Sequence, residues 1–112
     1  MSKRVSAEQI AKRPDGHYAL LDPSGDVARP GLFCIIANWC KFCHILKDDI
    51  KAARKIKDFA VYHMVGDESL ENEWKMRDLG AKVYPTVFRV QEGGKLIRYT
   101  GNKDVKSLVS LF

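Results

Sequence analysis

The chain has 112 residues, of which 46% are hydrophobic and 29% charged, and its formal net charge is +5. A chain of this length can bury a core of its own, so we expect a single domain over residues 1–112. Eight glycines and four prolines are too few for collagen-like structure, and the hydrophobic and aromatic content excludes a disordered chain.

The start of the chain does not read as an export signal. Lys3 and Arg4 are typical of the positively charged start of a signal peptide, but Glu8, Gln9 and Lys12 follow where its apolar segment should lie. The sequence holds no apolar stretch of about 18 residues. We therefore expect a cytoplasmic protein that does not contact a membrane. Three cysteines are an odd number, which favours chemistry or packing over a disulfide framework.

Two short elements are predicted in the N-terminal part. Residues Ser6–Arg13 suit a short helix that Pro14 ends, and His17–Asp22 suits a strand that a Pro-Ser-Gly turn closes. Only about ten residues then separate this strand from the next one, too few for a typical intervening helix. We expect the first structural unit to be reduced.

A strand, a helix and a second strand follow. Leu32–Ala37 is continuously apolar and short, as in a strand buried on both faces. Apolar residues then recur at steps of three and four between about Cys40 and Lys57, which indicates an amphipathic helix. Phe59–Val65 is a second β-type run. The order predicts a βαβ unit with parallel strands.

The remaining elements complete an order of βαβ, α, ββ, α. Ser69–Leu79 suits a helix with Ser69 as its N-cap, and the β-type runs Thr86–Gln91 and Lys95–Tyr99 suit a hairpin joined through two glycines. Asn102 is predicted to cap a last helix.

The motif with chemical meaning is Cys40-x-x-Cys43 at the predicted junction of strand and helix. The free N–H groups and positive dipole end of a helix stabilise a thiolate there, and Lys41 adds a positive charge. Cys40 is thus a candidate nucleophile. Cys43, one turn on, is expected to be more buried and to resolve the mixed disulfide that Cys40 forms.

From Leu32 to Phe112 the sequence resembles the thioredoxin family. The resemblance rests on Trp39-Cys40-Lys41-Phe42-Cys43 after an apolar strand, Tyr84-Pro85-Thr86 before the hairpin, and Gly101 after the last strand. It implies an α/β protein with a thioredoxin fold, in which helices flank a central mixed sheet, here with a reduced or atypical N-terminal unit. It also implies a thiol–disulfide oxidoreductase with Cys40 and Cys43 as catalytic residues.

The resemblance further implies a substrate-binding surface. Proline at the position of Pro85 is cis in the family, faces the two cysteines and presents the backbone of the preceding residue, here Tyr84, to an extended substrate. We expect Trp39 and Phe42 to contribute apolar recognition surface and Lys41 to support the thiolate. The implied partners are protein disulfides and an upstream thiol reductase or electron donor. We expect a monomer with no cofactor, no metal and no nucleic acid.

The sequence departs from the family pattern at three places. Lys41-Phe42 replaces the Gly-Pro that typical thioredoxins have between the cysteines. Cys34 stands where such proteins bury an aspartate that assists proton transfer to the second cysteine, and His63 stands where its lysine partner lies. We expect Cys34 to be a packing residue. His63 is either a hydrogen-bonded core residue or a substitute in the proton transfer.

Three alternatives stay open. Cys40-x-x-Cys43-His44 fits the attachment pattern of c-type haem, with Met64 or Met76 as a second axial ligand. The same three side chains with a fourth ligand fit zinc. A thioredoxin-fold binding or assembly factor with a dedicated partner is the strongest rival.

The distribution of charge also suggests a type of partner. Residues 41–57 carry six Lys or Arg against two Asp, a balance of +4. The sequence has neither a basic stripe regularly interleaved with aromatic residues nor a known nucleic-acid-binding motif, so acidic protein surfaces are the expected partners.

Overall fold

A mixed five-stranded sheet forms the centre of the protein in its computed structural model, which describes residues 2–112. The elements, numbered along the chain, are strands β1 (Lys3–Arg4), β2 (Ile10–Lys12), β3 (Tyr18–Leu20), β4 (Gly31–Ile36), β5 (Ala60–Val65), β6 (Thr86–Val90) and β7 (Leu96–Tyr99), and helices α1 (Lys41–Ile56), α2 (Leu70–Asp78) and α3 (Val105–Val109). The sheet has the order β1-β5-β4-β6-β7, and β2 and β3 form a separate antiparallel pair.

Strand β4 lies in the middle of the sheet and is buried on both faces, as predicted. Its residues Leu32, Phe33, Cys34 and Ile35 are each at most 3% exposed. Leu32 and Cys34 join the core cluster beneath α1 and α3, whereas Phe33 and Ile35 join the core on the opposite face. The continuous apolar run is therefore explained by two cores, one on each side of the strand.

The predicted βαβ unit is confirmed. Strands β4 and β5 pair in parallel, and α1 connects them. Because apolar residues recur at helical spacing, α1 buries one face, consisting of Cys43, Leu46, Ile50 and Ala53. Leu108 of α3 packs fully buried in the same cluster.

Helix α2 and the hairpin also match the prediction. The Ser69 side chain accepts a hydrogen bond from the Asn72 backbone N–H, 3.1 Å away, and so caps α2. Gly80, with φ of +74°, lies just past its end. Met76 of α2 packs in the core on the face of the sheet opposite α1. Strands β6 and β7 are antiparallel neighbours.

The N-terminal helix predicted over Ser6–Arg13 is wrong. A single 3₁₀ turn forms over Ala7–Gln9, and the Gln9 side-chain oxygen accepts a hydrogen bond from the Ser6 N–H. The chain then continues as strand β2. Ile10 is 2% exposed and pairs with Leu20 of β3, so burial and strand pairing override local helix preference. The strand predicted over His17–Asp22 is present as the shorter β3. With a hairpin in place of a helix, the expectation of an atypical first unit is met.

The predicted cap of the last helix is also wrong. Asp104, not Asn102, caps α3, because its side chain accepts a hydrogen bond from the Ser107 N–H at 2.7 Å. The Asn102 carbonyl accepts a hydrogen bond from the Tyr99 hydroxyl instead, which holds a turn before the helix begins. Among residues 2–112, no helix has both the length and the apolar character to cross a bilayer.

Candidate functional site

Cys40 occupies the N-cap of α1, at the end of the turn that follows β4. Its backbone is extended, with φ of −83° and ψ of 115°, and its N–H donates to the Ala37 carbonyl at 3.1 Å. The Cys43 N–H donates to the Cys40 sulfur at 3.2 Å. A helix N–H therefore points at Sγ of Cys40, and negative charge on that sulfur is stabilised by this bond and by the helix dipole.

The expectation that Cys43 is more buried than Cys40 is wrong. Cys40 is 4% exposed and Cys43 is 5% exposed. Both pack with Ala37, and the partly buried Ile36 and Tyr84 cover this small cluster. The two cysteines differ in their hydrogen bonding instead, since the sulfur of Cys40 accepts from the helix.

The thiol form of Cys43 is favoured in this setting. Burial raises the pKa of the Cys43 thiol, and its hydrogen bond with the Cys40 side chain raises it further. The pair therefore combines a sulfur that receives a helix N–H with a neighbouring thiol that holds its proton. Both are present as free thiols, as is Cys34.

Exposed aromatic side chains border the pair. Trp39 is 70% exposed and Phe42 is 68% exposed, so neither belongs to the core. The Trp39 indole N–H donates to Oδ2 of Asp67 at 2.7 Å, and its ring meets Tyr84 edge to face at 5.5 Å between centroids. Trp39 is thus held in one orientation although most of its surface faces solvent. Lys41 is also exposed, at the first position of α1.

Tyr84, which packs against the cysteine cluster, and Pro85 immediately precede β6. Their peptide bond is cis. The Tyr84 hydroxyl donates to the sulfur of Met76 at 3.3 Å, and burial, with a smaller effect of Asp67, raises the pKa of that hydroxyl. The structure thus gathers Trp39, Tyr84 and both cysteines at one end of the sheet.

Cys34 and His63 lie behind the cysteine pair on adjacent strands. They are directly opposite each other in the register of β4 and β5. Burial raises the pKa of Cys34 to about 12, which keeps it a thiol. His63 is half-buried, and its Nδ1 lies 2.7 Å from the Ser2 hydroxyl. Burial, together with Arg4 and Lys47, lowers the pKa of His63 and favours neutral imidazole.

A cavity of about 760 Å³ opens between α1 and the ends of β4 and β5. Cys43, Cys34 and His63 all contribute to its wall. Sequence reasoning named these three residues but did not predict the space they share. The signal for it was the run of Lys and Arg at helical spacing along α1, which marks a face that no other element covers.

Gly66, just after β5, is a second feature that sequence reasoning missed. A β-carbon there would lie 2.8 Å from the Tyr84 ring and would also collide with the sulfur of Met76. The absent side chain therefore lets Tyr84 lie against the end of β5 and reach Met76. Asp67, the partner of Trp39, follows at once in the chain, and nothing in its local sequence marked it.

The two metal-based alternatives are c-type haem attachment and a zinc site. In the part of the chain that the structure describes, no three His, Cys, Asp or Glu side chains come together as a metal site. Met64 and Met76, the candidate axial haem ligands, both lie in the core on the face of the sheet opposite α1.

No family model and no curated protein matches the chain. Solved structures do match. The Trx4 domain of ERdj5 aligns with a TM-score of 0.61 at 15% identity, covering 98% of this chain and 90% of that one. Thioredoxin O2 from Arabidopsis thaliana in the oxidized state aligns with a TM-score of 0.56 at 22% identity, covering 74% of this chain and 71% of that one. The zinc-bound form of human ERp44 aligns with a TM-score of 0.57 at 20% identity, covering 75% of this chain and 25% of that one. The protein has a thioredoxin fold.

Proposed function

We propose that this thioredoxin-fold protein is a thiol–disulfide oxidoreductase that acts through Cys40 and Cys43. The observation that carries the proposal is the Cys43 N–H donated to the Cys40 sulfur at the N-terminus of α1. A thiolate stabilised in this way is the attacking species in disulfide exchange.

The reaction has two exchange steps. The Cys40 thiolate attacks one sulfur of a protein disulfide, so a mixed disulfide forms and the other substrate sulfur leaves as a thiolate. Cys43 then loses its proton and attacks the Cys40 sulfur, which releases the second substrate sulfur and leaves a Cys40–Cys43 disulfide. Two electrons pass to the substrate. When the protein acts as a reductant, an upstream thiol reductase or electron donor then reduces the Cys40–Cys43 disulfide back to two thiols.

The second step needs a base, because burial favours the protonated form of Cys43. Cys34 is unsuited to this role, since burial raises its pKa to about 12 and it holds its own proton. His63 shares the cavity wall with Cys43 and has a lowered pKa, so its imidazole is neutral and able to accept a proton. We assign proton removal from Cys43 to His63, through water in the cavity.

Substrate contact is assigned to the exposed rim of the site. Trp39 and Phe42 offer apolar surface next to Cys40, and Tyr84, which precedes Pro85, meets the Trp39 ring edge to face. Lys41 adds positive charge at the start of α1. These residues suit an extended substrate segment with apolar side chains.

The experiment that tests the function is an equilibrium redox titration of the wild-type protein in glutathione or dithiothreitol buffers. A reversible two-electron transition is expected, absent in Cys40→Ser and retained in Cys34→Ser. A potential near about −270 mV would indicate a reductant, and one of about −120 to −180 mV an oxidant or isomerase. If no transition occurs, the protein is instead a binding or assembly factor that uses the same surface.

A trapping experiment tests the order of attack. In Cys43→Ser, the mixed disulfide on Cys40 has no resolving thiol, so a covalent complex with a disulfide-containing protein should accumulate. Cys40→Ser should form no such complex. Trapping by Cys40→Ser but not by Cys43→Ser would reverse the two roles.

A further inference from the structure

The cavity beside α1 combines an apolar floor with a cationic rim. Its floor is formed by apolar side chains of β4, β5 and the buried face of α1, namely Cys34, Ile36, Leu46, Ile50 and Val61. Its volume of about 760 Å³ lies within the range of about 300–1,000 Å³ typical of small-molecule sites. The space is therefore suited in size and lining to an organic ligand.

The rim carries charge of almost one sign. Four cationic side chains come from one face of α1 at steps of three and four residues, namely Lys47, Lys51, Arg54 and Lys55. His44 of α1 and His63 of β5 complete the rim. Asp58 is the one carboxylate among the lining residues.

These cations are available to a ligand. The salt bridges found within residues 2–112 join Lys3 to Asp22 and Arg4 to Glu68, so none of the α1 cations is neutralised by an ion pair there. The charge of Lys47 acts on His63, so the α1 side and the β5 side of the rim belong to one electrostatic environment. A row of unpaired cations beside an apolar floor attracts a ligand that carries negative charge at one end only.

We propose that this cavity binds a small amphipathic carboxylate, with its apolar chain on the floor and its carboxylate among Lys47, Lys51 and Arg54. The charge complementarity selects an anion, and the apolar floor selects a hydrocarbon body over a fully polar anion such as inorganic phosphate. The site is separate from the exposed aromatic rim at Trp39 and Phe42, neither of which lines the cavity.

Decanoate is the probe for the first experiment, a titration of the ¹⁵N-labelled full chain followed by NMR. Saturable shifts are expected at Cys34, Ile36 and Val61, with little change at Trp39 and Phe42. Decyltrimethylammonium, with a similar chain and the opposite charge, should bind at least about tenfold more weakly. Equal binding of the two amphiphiles, or shifts confined to Trp39 and Phe42, overturns the proposal.

Charge-reversal variants test the rim. Lys47→Glu/Lys51→Glu should weaken decanoate binding by about tenfold, from the sum of several partly screened charge interactions. Lys12→Glu/Lys82→Glu removes the same net charge at exposed positions outside the cavity and should leave binding unchanged. An equal loss in both variants would mean that net charge alone attracts the probe, and the proposal fails.

One further outcome counts against the ligand. Helix α2 exposes Leu70 and Trp74 beside Glu71 and Glu73, so the α2 of a second copy is the rival occupant of the cavity. Salt-sensitive self-association with shifts on α2, in the absence of decanoate, would identify that occupant instead. Binding should persist in Cys40→Ser, so this test stands or falls separately from the redox chemistry.

Discussion

Cys34 of β4 lies directly opposite His63 of β5, and both side chains border the cavity that also contains Cys43. The two residues differ in the protons they hold. Burial keeps Cys34 a thiol, whereas burial and the neighbouring cations keep His63 a neutral imidazole. Neutral imidazole is a much stronger proton acceptor than a thiol, because one of its two ring nitrogens carries no proton. The register of the two central strands thus presents one base to the space behind Cys43.

The first prediction concerns this base. His63→Gln should slow resolution of the mixed disulfide by at least about tenfold while leaving the attack of Cys40 unchanged, because only the second step needs the proton of Cys43 removed. Stopped-flow measurement of the two phases separates them. His17→Gln, at an exposed position, is the matched control.

The pH dependence sharpens the same prediction. The pKa of His63 lies below its ordinary value, so the imidazole is neutral above about pH 6.5, and titration of His63 should not change the resolution rate there. As pH falls through the pKa of His63, protonation removes the base and the wild-type rate should drop. His63→Gln should lack this drop. Superimposable profiles for the two proteins would remove His63 from the mechanism.

The second prediction concerns Phe42. Phe42→Ser should lower kcat/KM about fivefold for protein disulfides and leave it unchanged for a small aromatic disulfide, because about 1 kcal/mol of apolar contact is lost only with the larger substrate. The free energy of unfolding should change by less than about 0.5 kcal/mol, since Phe42 is 68% exposed. Ile56→Ser is the control, as Ile56 is equally exposed at the other end of α1. Equal effects of both changes would contradict a contact at Phe42.

The third prediction concerns Gly66. Gly66→Ala should destabilise the protein by about 1–3 kcal/mol, because the added methyl group meets Tyr84 and Met76. Urea denaturation measures this cost. In the Tyr84→Ala background the cost should be smaller, since one of the two obstacles is gone, and a double-mutant cycle reports the difference as a coupling energy. Additive effects would show that the methyl group does not press on Tyr84.

The fourth prediction concerns Asp22, which is 8% exposed and joins the N-terminal segment to the sheet. The Ser24 backbone N–H and the Lys3 ammonium, 2.9 Å away, hold the pKa of Asp22 at about 2. The Tyr62 hydroxyl donates to the same carboxylate at 3.2 Å. Because the folded pKa is depressed, this stabilisation is present above about pH 4 and is lost as pH falls towards 2.

Asp22→Asn should therefore lower the free energy of unfolding by about 1–2 kcal/mol at pH 7, and the difference from wild type should disappear near pH 2. Denaturation at a series of pH values gives the curve. Asp26→Asn, at an exposed neighbour, should have little effect at any pH. A loss for Asp22→Asn that persists unchanged to pH 2 would point to packing and not to charge.

From Leu32 onward, the elements follow from periodicity because each buries one regular face or both. The apolar run of β4 and the helical spacing on α1 both correspond to burial seen in the structure. The N-terminal part failed because Ile10 pairs with Leu20 ten residues later, a tertiary contact that local preference does not contain. The last helix is present as predicted, but its cap was wrong because the Tyr99 hydroxyl holds the Asn102 carbonyl in a turn before the helix begins.

The candidate site was predictable only in part. Cys40 and Cys43 are marked by their spacing at a strand-to-helix junction, and the cap geometry of Cys40 follows from that position. The equal burial of the two cysteines was not predictable, because it depends on packing against Tyr84, which is distant from them in the sequence. The cavity was not predicted either, because the run of Lys and Arg indicates an exposed face of α1 but not the apolar space beside it.

Strand β1 gives the sheet a short outer edge, with only Lys3 and Arg4 paired to β5. Unpaired edges are where sheets of separate molecules join and start to aggregate, and a strand of two residues offers very little backbone for such pairing. Trp39 and Phe42 already expose apolar surface, and the short β1 limits strand-to-strand joining of two copies along this second region. Lengthening β1 with alternating apolar residues would remove that protection.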